Sequence, residues 1–273
     1  MQNKISLAGD LGSGKSTVSK ILIERLGAEY YSTGAIVRSI AEKHGMSVVE
    51  LNVYMETHPE IDHEIDDGLK ALSSVDKLLI IDSRMAWHFT EGTFKVYLSA
   101  DPETSALRIM SANRVGEHAA TLEETVKETK ARRESEKKRY MEQYGVDIKD
   151  LMNYSVIIDT TAATPEAVAE CLIKSFEAWQ VDRDFKMAYI APERLYYPDD
   201  APDGEAVAAL SARLDVCESI PAVEVAERDG EFYLVSGLES AVAYSLNMEA
   251  FIPTRLVKAD IDGKKYIKMK NSL

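Results

Sequence analysis

Short apolar runs alternate with segments of helical spacing along the first two thirds of the chain. A short apolar run bounded by turn residues is typical of a buried strand, whereas apolar residues three and four apart indicate one face of a helix. Strands that alternate with helices predict a parallel sheet with helices on both faces. We therefore expect the α/β class, with a five-stranded parallel sheet between helices. The predicted strands are Lys4–Ala8, Glu29–Tyr31, Leu78–Asp82, Phe94–Leu98 and Tyr154–Asp159.

Capping residues mark the starts of several helices. In a capping box, a Ser or Thr is followed three residues later by Glu. This pattern predicts helices over about Ser47–Met55 and Thr121–Glu142. A capping residue directly before proline predicts two further helix starts, at Pro102 and Pro165.

The pattern changes near residue 183, after which prolines become frequent. Two short apolar runs, Val223–Ala226 and Phe232–Val235, flank the pair Asp229-Gly230, which is a signal for a tight hairpin turn. We predict two domains. Residues 1–183 carry the alternating pattern, and residues 184–273 form a small α+β domain.

Composition narrows the class of protein. The chain has 273 residues and is 45% hydrophobic, which is enough for a substantial core. Its net charge of −14 argues against broad binding to DNA or RNA. No apolar run approaches the ~20 residues of a membrane span, and a strand begins at once in place of a signal peptide. With two widely spaced cysteines and no metal-type spacing, we expect a cytoplasmic protein with free thiols.

The clearest chemical signal is a glycine-rich loop between the first predicted strand and the first predicted helix. Residues 9–16 match the phosphate-binding pattern G-x-x-x-x-G-K-[ST]. Glycines let backbone N–H groups curl inward, and the helix N-terminus adds partial positive charge. We expect ATP with Mg²⁺, with Lys15 at the β- and γ-phosphates and Ser16 as a ligand of the metal. The predicted cofactor-binding residues are Gly9, Asp10, Gly12, Ser13, Gly14, Lys15, Ser16 and Thr17.

Other polar residues indicate which kind of molecule accepts the phosphoryl group. Thr33 and Arg38 place a hydroxyl, a helix N-terminus and a guanidinium together, which suits a phosphate monoester. Asp82 ends a predicted central strand, where its carboxylate can bind Mg²⁺ directly or through water. Arg84 follows two residues later and is expected in the same cleft. The alternatives are a capped helix with a surface arginine and a carboxylate that forms a turn.

The long predicted helix supplies Arg132 and Arg139, which lie seven residues apart and so on one face. Arg108 and Arg114 lie one helix earlier. Arginines on a mobile helical hairpin neutralise charge on the transferring oxygens and exclude water, so we predict a catalytic role for Arg132 and Arg139. The alternative is a solvated charged face. We prefer that interpretation for Arg133, Lys137 and Lys138.

Several motifs follow one another in a fixed order along residues 1–180. They are Gly9–Thr17, Tyr31–Gly34 with Arg38, Pro59–Asp62, Arg132–Tyr140, Tyr144–Asp147 and Tyr154–Thr160. In this order they resemble cytidylate kinase of the short archaeal type. The resemblance implies a nucleoside monophosphate kinase fold, with an acceptor-binding helical insert at about residues 35–75 and a lid at about residues 110–140.

The resemblance also implies roles for single residues. It implies that Arg38 and Arg84 hold the acceptor phosphate and that Asp62 belongs to the acceptor pocket. It places the loop Thr160–Thr164 beside the adenine of ATP, with Arg132 and Arg139 acting from the lid. Members of the family usually carry Glu-Gly-Arg after the central strand, whereas this chain has Asp-Ser-Arg ending at Arg84. That change falls where the acceptor base would be read.

The second domain shows a shorter resemblance. It rests on Ile190–Pro192, Ile220–Val223, Asp229–Gly237, Ala241–Tyr244 and Ile252-Pro253. These segments resemble the ParB/sulfiredoxin-type domain. The family's phosphate-handling signature normally ends in arginine, but Glu239 stands there without a basic neighbour, and its carboxylate would repel a phosphate. We therefore expect a non-catalytic accessory domain for contact with a protein partner or for self-association. The alternative is an unrelated small appendage.

Three functions are compatible with these features. The leading hypothesis is ATP-dependent phosphotransfer to a small-molecule acceptor, with CMP or dCMP first. The second is a P-loop kinase that acts on another small metabolite. The third is a nucleotide-sensing regulatory protein whose second domain signals to a partner.

Overall fold

The computed structural model describes residues 4–111, 121–263 and 265–268. The strands are β1 (Lys4–Gly9), β2 (Glu29–Ser32), β3 (Leu79–Asp82), β4 (Thr93–Ser99), β5 (Val156–Asp159), β6 (Met187–Ile190), β7 (Leu195–Pro198), β8 (Val223–Arg228), β9 (Glu231–Ser236), β10 (Ile252–Leu256) and β11 (Tyr266–Lys268). The helices are α1 (Lys15–Leu26), α2 (Thr33–Lys43), α3 (Val48–Met55), α4 (Pro59–Ala71), α5 (Ala86–Phe89), α6 (Pro102–Ser111), α7 (Leu122–Tyr144), α8 (Pro165–Val181), α9 (Gly204–Asp215) and α10 (Leu238–Leu246).

The five predicted parallel strands are present in the order β2-β3-β1-β4-β5. One face of this sheet is covered by α1 and α8, which pack Leu22 and Phe176 against Ile5 and Phe94. The helices α2 to α4 form a separate cluster beside β3. All the carboxyl ends of these strands meet at one edge, where ligands bind in open parallel sheets. The predicted α/β fold is therefore confirmed.

The sheet continues beyond the five predicted strands. β6 pairs in parallel with β5, and β10 then pairs antiparallel with β6. The full order in the described part of the chain is β11-β7-β9-β8-β10-β6-β5-β4-β1-β3-β2. A shared apolar cluster joins Tyr97 and Ile157 to Val223 and Phe232. The predicted division at residue 183 stays a prediction, and the strands on its two sides belong to one sheet.

The local signals in the sequence match local structure closely. Capping boxes are formed at Ser47 and at Thr121, in each case with the glutamate three residues later. The turn between β8 and β9 has positive φ at Asp229 (55°) and at Gly230 (84°), as a tight hairpin turn requires. Within the described ranges, no helix has the length and apolar character that a membrane crossing demands.

Candidate active site

The glycine-rich loop connects the end of β1 to the start of α1. At two of its positions the surrounding backbone leaves room only for glycine. A Cβ atom on Gly9 would lie 2.3 Å from the carbonyl oxygen of Leu98, and one on Gly12 would lie 2.4 Å from that of Ser105. Gly14 takes a left-handed conformation, with φ of 82°, directly before α1. The loop therefore packs tightly against β4 and α6 while its curled backbone precedes a helix N-terminus.

Lys15 folds back over this loop. Its Nζ donates hydrogen bonds to the carbonyl oxygens of Gly9 (3.0 Å) and Asp10 (2.7 Å). Burial lowers the pKa of Lys15 to about 8, although the carboxylate of Asp82 opposes this shift. An ammonium that has lost most of its water and lies on a phosphate loop is well suited to bind a phosphate oxygen.

The carboxylate of Asp10 anchors the loop through hydrogen bonds to neighbouring segments. Its Oδ1 accepts hydrogen bonds from Tyr97 (2.7 Å) and from Lys149 Nζ (2.8 Å), and its Oδ2 accepts one from the backbone N–H of Ala100 (3.1 Å). Burial by itself raises the pKa of Asp10, but the charges of Lys149 and Arg133 lower it to about 2. The Asp10 side chain therefore stabilises the loop as an anion at neutral pH, with Tyr97 and Lys149 as partners that the sequence did not reveal.

A cavity of about 500 Å³ opens above the loop. This volume suits a small-molecule site. The cavity brings most of the predicted site residues together, from the glycine-rich loop, from the segment after β2, from the end of β3 and from α4 and α7. Those that line it are Gly12, Ser13, Gly14, Lys15, Ser16, Thr33, Arg38, Asp62, Asp82, Arg84, Arg132 and Arg139.

Glu136 binds two of these arginines. Its Oε2 lies 2.6 Å from Nε of Arg84, and its Oε1 lies 3.2 Å from Nε of Arg132. Burial opposes charge on Arg84, but the Glu136 carboxylate raises the pKa of Arg84 above its ordinary value. Glu136 is not among the predicted site residues. A signal was available, because Glu136 lies four residues after Arg132 on the same helix face.

Arg139 extends from α7 to the other wall of the cavity. Its Nε lies 3.3 Å from Oδ2 of Asp62, and its Nη1 donates to the carbonyl oxygen of Asn52 (3.3 Å). Both charged side chains are only 6% exposed. Burial raises the pKa of Asp62, and the charge of Arg139 opposes that rise. Beside Asp62, Asp66 accepts a short hydrogen bond from the hydroxyl of Tyr144.

The end of β3 faces the start of α2. Tyr30 donates a hydrogen bond to Oδ2 of Asp82 (2.9 Å), and Thr33 donates to the carbonyl oxygen of Asp82 (3.4 Å). Ser16 and Asp82 both line the cavity, and their hard oxygen atoms suit Mg²⁺. Arg38 also lines the cavity, and no residue in the described part of the chain forms an ion pair with it.

Three other basic residues named in the sequence lie in different surroundings. The solvated surface role predicted for Arg133 is wrong: its side chain is 17% exposed, and its Nη2 lies 3.4 Å from Oδ1 of Asp10. Arg108 donates to the carbonyl oxygen of Thr160 (2.7 Å), so it contacts the loop after β5. Arg114, together with the surrounding part of the predicted lid, lies outside the described residues.

The strand, the glycine-rich loop, the helix and the arginine-lined cavity together define the class of P-loop kinases. Residues 5–150 match the AAA domain family. Cytidylate kinase of Archaeoglobus fulgidus is 36% identical over 184 residues, which are 67% of this chain and 99% of that protein. Cytidylate kinase of Thermoplasma volcanium is 37% identical over 178 residues, 64% of this chain and 91% of that protein. The chain belongs to the cytidylate kinase family.

Other likenesses are partial. An S-adenosylmethionine-dependent nucleotide dehydratase of Lacinutrix mariniflava is 35% identical over 178 residues, which are 65% of this chain but 36% of that protein. Shikimate kinase of Bacteroides thetaiotaomicron has a TM-score of 0.46 at 15% identity, over 64% of this chain and 98% of its own. Sulfiredoxin of Arabidopsis thaliana has a TM-score of 0.25 at 20% identity, over 27% of this chain and 85% of its own. At such TM-scores the two structural likenesses carry no argument about function. The ParB/sulfiredoxin resemblance stays a prediction.

Proposed function

We propose that the protein transfers the γ-phosphoryl group of Mg²⁺-bound ATP to a nucleoside monophosphate, with CMP or dCMP as the acceptor. One observation carries this proposal. A single cavity is lined both by the glycine-rich loop and by Arg38, Arg84, Arg132 and Arg139. A donor and an acceptor that each carry phosphate would both find cationic partners there.

The proposed mechanism relies on position and charge. The loop N–H groups and Lys15 bind the phosphates of the donor, while Arg38 and Arg84 align the acceptor phosphate. Arg132 and Arg139 stabilise charge on the oxygens of the transferring group. Mg²⁺ would neutralise the donor phosphates from the side of Ser16 and Asp82. No general base is required, because a phosphate monoester is already an anionic nucleophile.

Glu136 has a defined part in this proposal. Its carboxylate pairs with Arg84 and Arg132 and keeps both guanidiniums beside the cavity. Arginines that are already oriented lose less side-chain freedom when a phosphate binds. Glu136 is therefore expected to act as a positioning residue for the cationic side of the site.

The proposal is tested by measuring ADP release from Mg²⁺–ATP with CMP, dCMP, UMP, AMP or no acceptor. Selective stimulation by CMP or dCMP is expected. The Lys15→Ala variant should lose activity by a factor of about 10²–10³, the usual effect of removing one charge-stabilising donor. Lys20→Ala, an exposed lysine on the same helix, is the matched control and should keep full activity.

Two other outcomes would replace the proposal. ATP binding without stimulation by any nucleotide, but with turnover of another small metabolite, would support the second hypothesis from the sequence. Nucleotide binding without turnover of any acceptor, together with a partner bound through residues 184–273, would support the regulatory one. We propose the accessory role of residues 184–273, in partner contact or self-association, independently of that result.

A further inference from the structure

Arg194 connects the C-terminal part of the chain to the loop after β5. It ends a short 3-10 turn that follows β6, and its side chain is 4% exposed. Its Nη2 donates to the carbonyl oxygen of Gly230 in the β8–β9 turn (2.7 Å), and its Nη1 donates to Oγ1 of Thr161 (3.3 Å). The same Nη1 lies 3.9 Å from Oδ1 of the fully buried Asp159.

The hydroxyl of Thr161 uses its full hydrogen-bonding capacity at this point. It donates its proton to Oδ1 of Asp159 (2.5 Å) and accepts from both Arg194 and the backbone N–H of Asp101 (3.0 Å). One donor and two acceptor positions are all that a threonine hydroxyl offers. Arg194 therefore completes a partly buried network that includes the residue before α6.

Helix α6 connects the Arg194–Thr161–Asp101 network to the glycine-rich loop. Asp101 caps α6, since its Oδ1 accepts from the N–H groups of Glu103 and Thr104, both at 2.9 Å. The next turn of α6 lies against Gly12, where a Cβ atom would lie 2.4 Å from the carbonyl oxygen of Ser105. A small movement of α6 would therefore change the shape of the loop, because so close a backbone contact leaves no free space.

We infer that Arg194 is a positioning residue for the nucleotide site. Through Arg194, the C-terminal part of the chain (residues 184–273) sets the geometry of the glycine-rich loop. This inference rests on the proposed function, since it assigns the loop to ATP. Arg194 itself does not line the cavity, and its action runs through Thr161, Asp101 and α6. The consequence concerns the donor nucleotide, because the hydrogen bonds of this network in the described residues do not involve Arg38 or Asp62, which the proposed function assigns to the acceptor.

The test uses the full chain and compares Arg194→Met with Arg194→Lys. Calorimetry measures the dissociation constant of Mg²⁺–ATP, and steady-state assays measure KM for ATP and for the acceptor. Arg194→Met is expected to bind ATP about tenfold more weakly, as the loss of a buried charged hydrogen bond implies, with KM for the acceptor unchanged. Arg194→Lys should lie in between, because one ammonium cannot reach both Gly230 and Thr161. Arg255→Met, an exposed arginine of β10, is the matched control.

A second variant separates positioning from stability. Arg194→Met leaves the Asp159 carboxylate buried without its ion-pair partner, which destabilises the fold. In the double variant Arg194→Met/Asp159→Asn this charge is gone, while the amide oxygen can still accept from Thr161. The double variant should regain most of the thermal stability and still bind ATP weakly.

Two results would overturn the inference. One is normal ATP affinity in Arg194→Met, and the other is ATP affinity that returns together with stability in the double variant. In both cases the wild-type protein still binds ATP, so the proposed function survives. A wild-type protein that binds no ATP would overturn both.

Discussion

The carboxylate of Glu136 lies 2.6 Å from the guanidinium of Arg84 and so ties the middle of helix α7 to the segment after strand β3. Glu136 is buried and also pairs with Arg132, so one carboxylate contacts two guanidinium groups beside the cavity. This pair connects the segment after β3 to the helix that carries the predicted catalytic arginines Arg132 and Arg139.

Replacing Glu136 with Gln should destabilise the free protein and make it respond more strongly to ligand. Removing one partner of a buried ion pair costs about 3–5 kcal/mol, and Arg84 and Arg132, which are partly exposed, place this case at about 3 kcal/mol or below. A bound phosphate would restore negative charge beside both arginines. Thermal denaturation should therefore show a lower Tm without ligand and a larger rise in Tm with Mg²⁺–ATP and CMP.

Glu134→Gln, at an exposed glutamate on the same helix, is the control and should behave as wild type. An equal ligand-induced rise in both variants would contradict this prediction.

Arg38→Ala should affect the acceptor and leave the donor unaffected. Arg38 lies on α2, the helix that begins at Thr33, and both residues line the cavity. A hydrogen bond to a charged group contributes about 1.5–3 kcal/mol, which corresponds to a rise in KM for the acceptor of about 10- to 100-fold. The dissociation constant of Mg²⁺–ATP should stay within a factor of about two. Arg25→Ala removes an exposed surface pair with Glu170 and serves as the control. A change in ATP affinity as large as the change in KM would show that Arg38 does not belong to the acceptor side.

The affinity for ATP should fall as the pH rises above 8. Burial lowers the pKa of Lys15 from 10.5 to about 8, with Asp82, Asp10 and Glu136 opposing and Arg84 assisting. Above that pH the free protein loses the ammonium that the phosphates need, and binding must restore the proton. The dissociation constant should rise by up to about tenfold per pH unit. Calorimetric titration between pH 7 and 9.5 measures this, and in Lys15→Met the weak residual binding should not change with pH.

The lowered pKa of Lys15 should also change how stability depends on pH. Whereas the affinity for ATP falls as the pH rises, the free energy of unfolding should increase. Between pH 8 and 10.5 the unfolded chain keeps the proton that the folded protein has released. The unfolded state therefore binds more protons, and the contribution of Lys15 to stability rises with pH across this window. Urea denaturation should show a smaller rise for Lys15→Met than for wild type.

Asp10 should stabilise the protein at neutral pH and lose this effect in acid. Its pKa of about 2 lies below the ordinary value of 3.8, so its contribution is complete above pH 3.8 and is lost as the pH falls through 2. The shift corresponds to about 2 kcal/mol. Asp10→Asn should therefore unfold at a lower urea concentration than wild type at pH 7, with a smaller difference at pH 3. Asp76→Asn, at an exposed aspartate, should not change the midpoint. A difference between Asp10→Asn and wild type that does not depend on pH would contradict the assignment.

Local features were well predicted from the sequence because they depend on neighbours along the chain. The capping box at Thr121 and the hairpin turn at Asp229-Gly230 need only a few consecutive residues. The glycine-rich loop is equally local, and its strand and helix follow directly. Arg132 and Arg139 could be placed on one face because helical spacing alone decides it.

Contacts between distant segments could not be predicted in the same way. Lys149 reaches Asp10 across 139 positions, and the pair depends on how α7 and the segment after it return to the sheet. Arg133 was assigned to solvent because its helix is rich in charge, whereas burial is decided by what packs against that helix. The pairing of β6 with β5 also required the three-dimensional sheet, since β6 is a short strand beyond the predicted boundary.

The pairing of β5 with β6 has a consequence for any shortened form of the protein. With residues 184–273 removed, β5 becomes an outer strand, and its backbone N–H and C=O groups on that side lose their partners. Tyr97 and Ile157, now covered by the shared apolar cluster, would meet water. A free strand next to exposed apolar side chains favours pairing with another molecule. We therefore expect residues 184–273 also to protect the protein against aggregation.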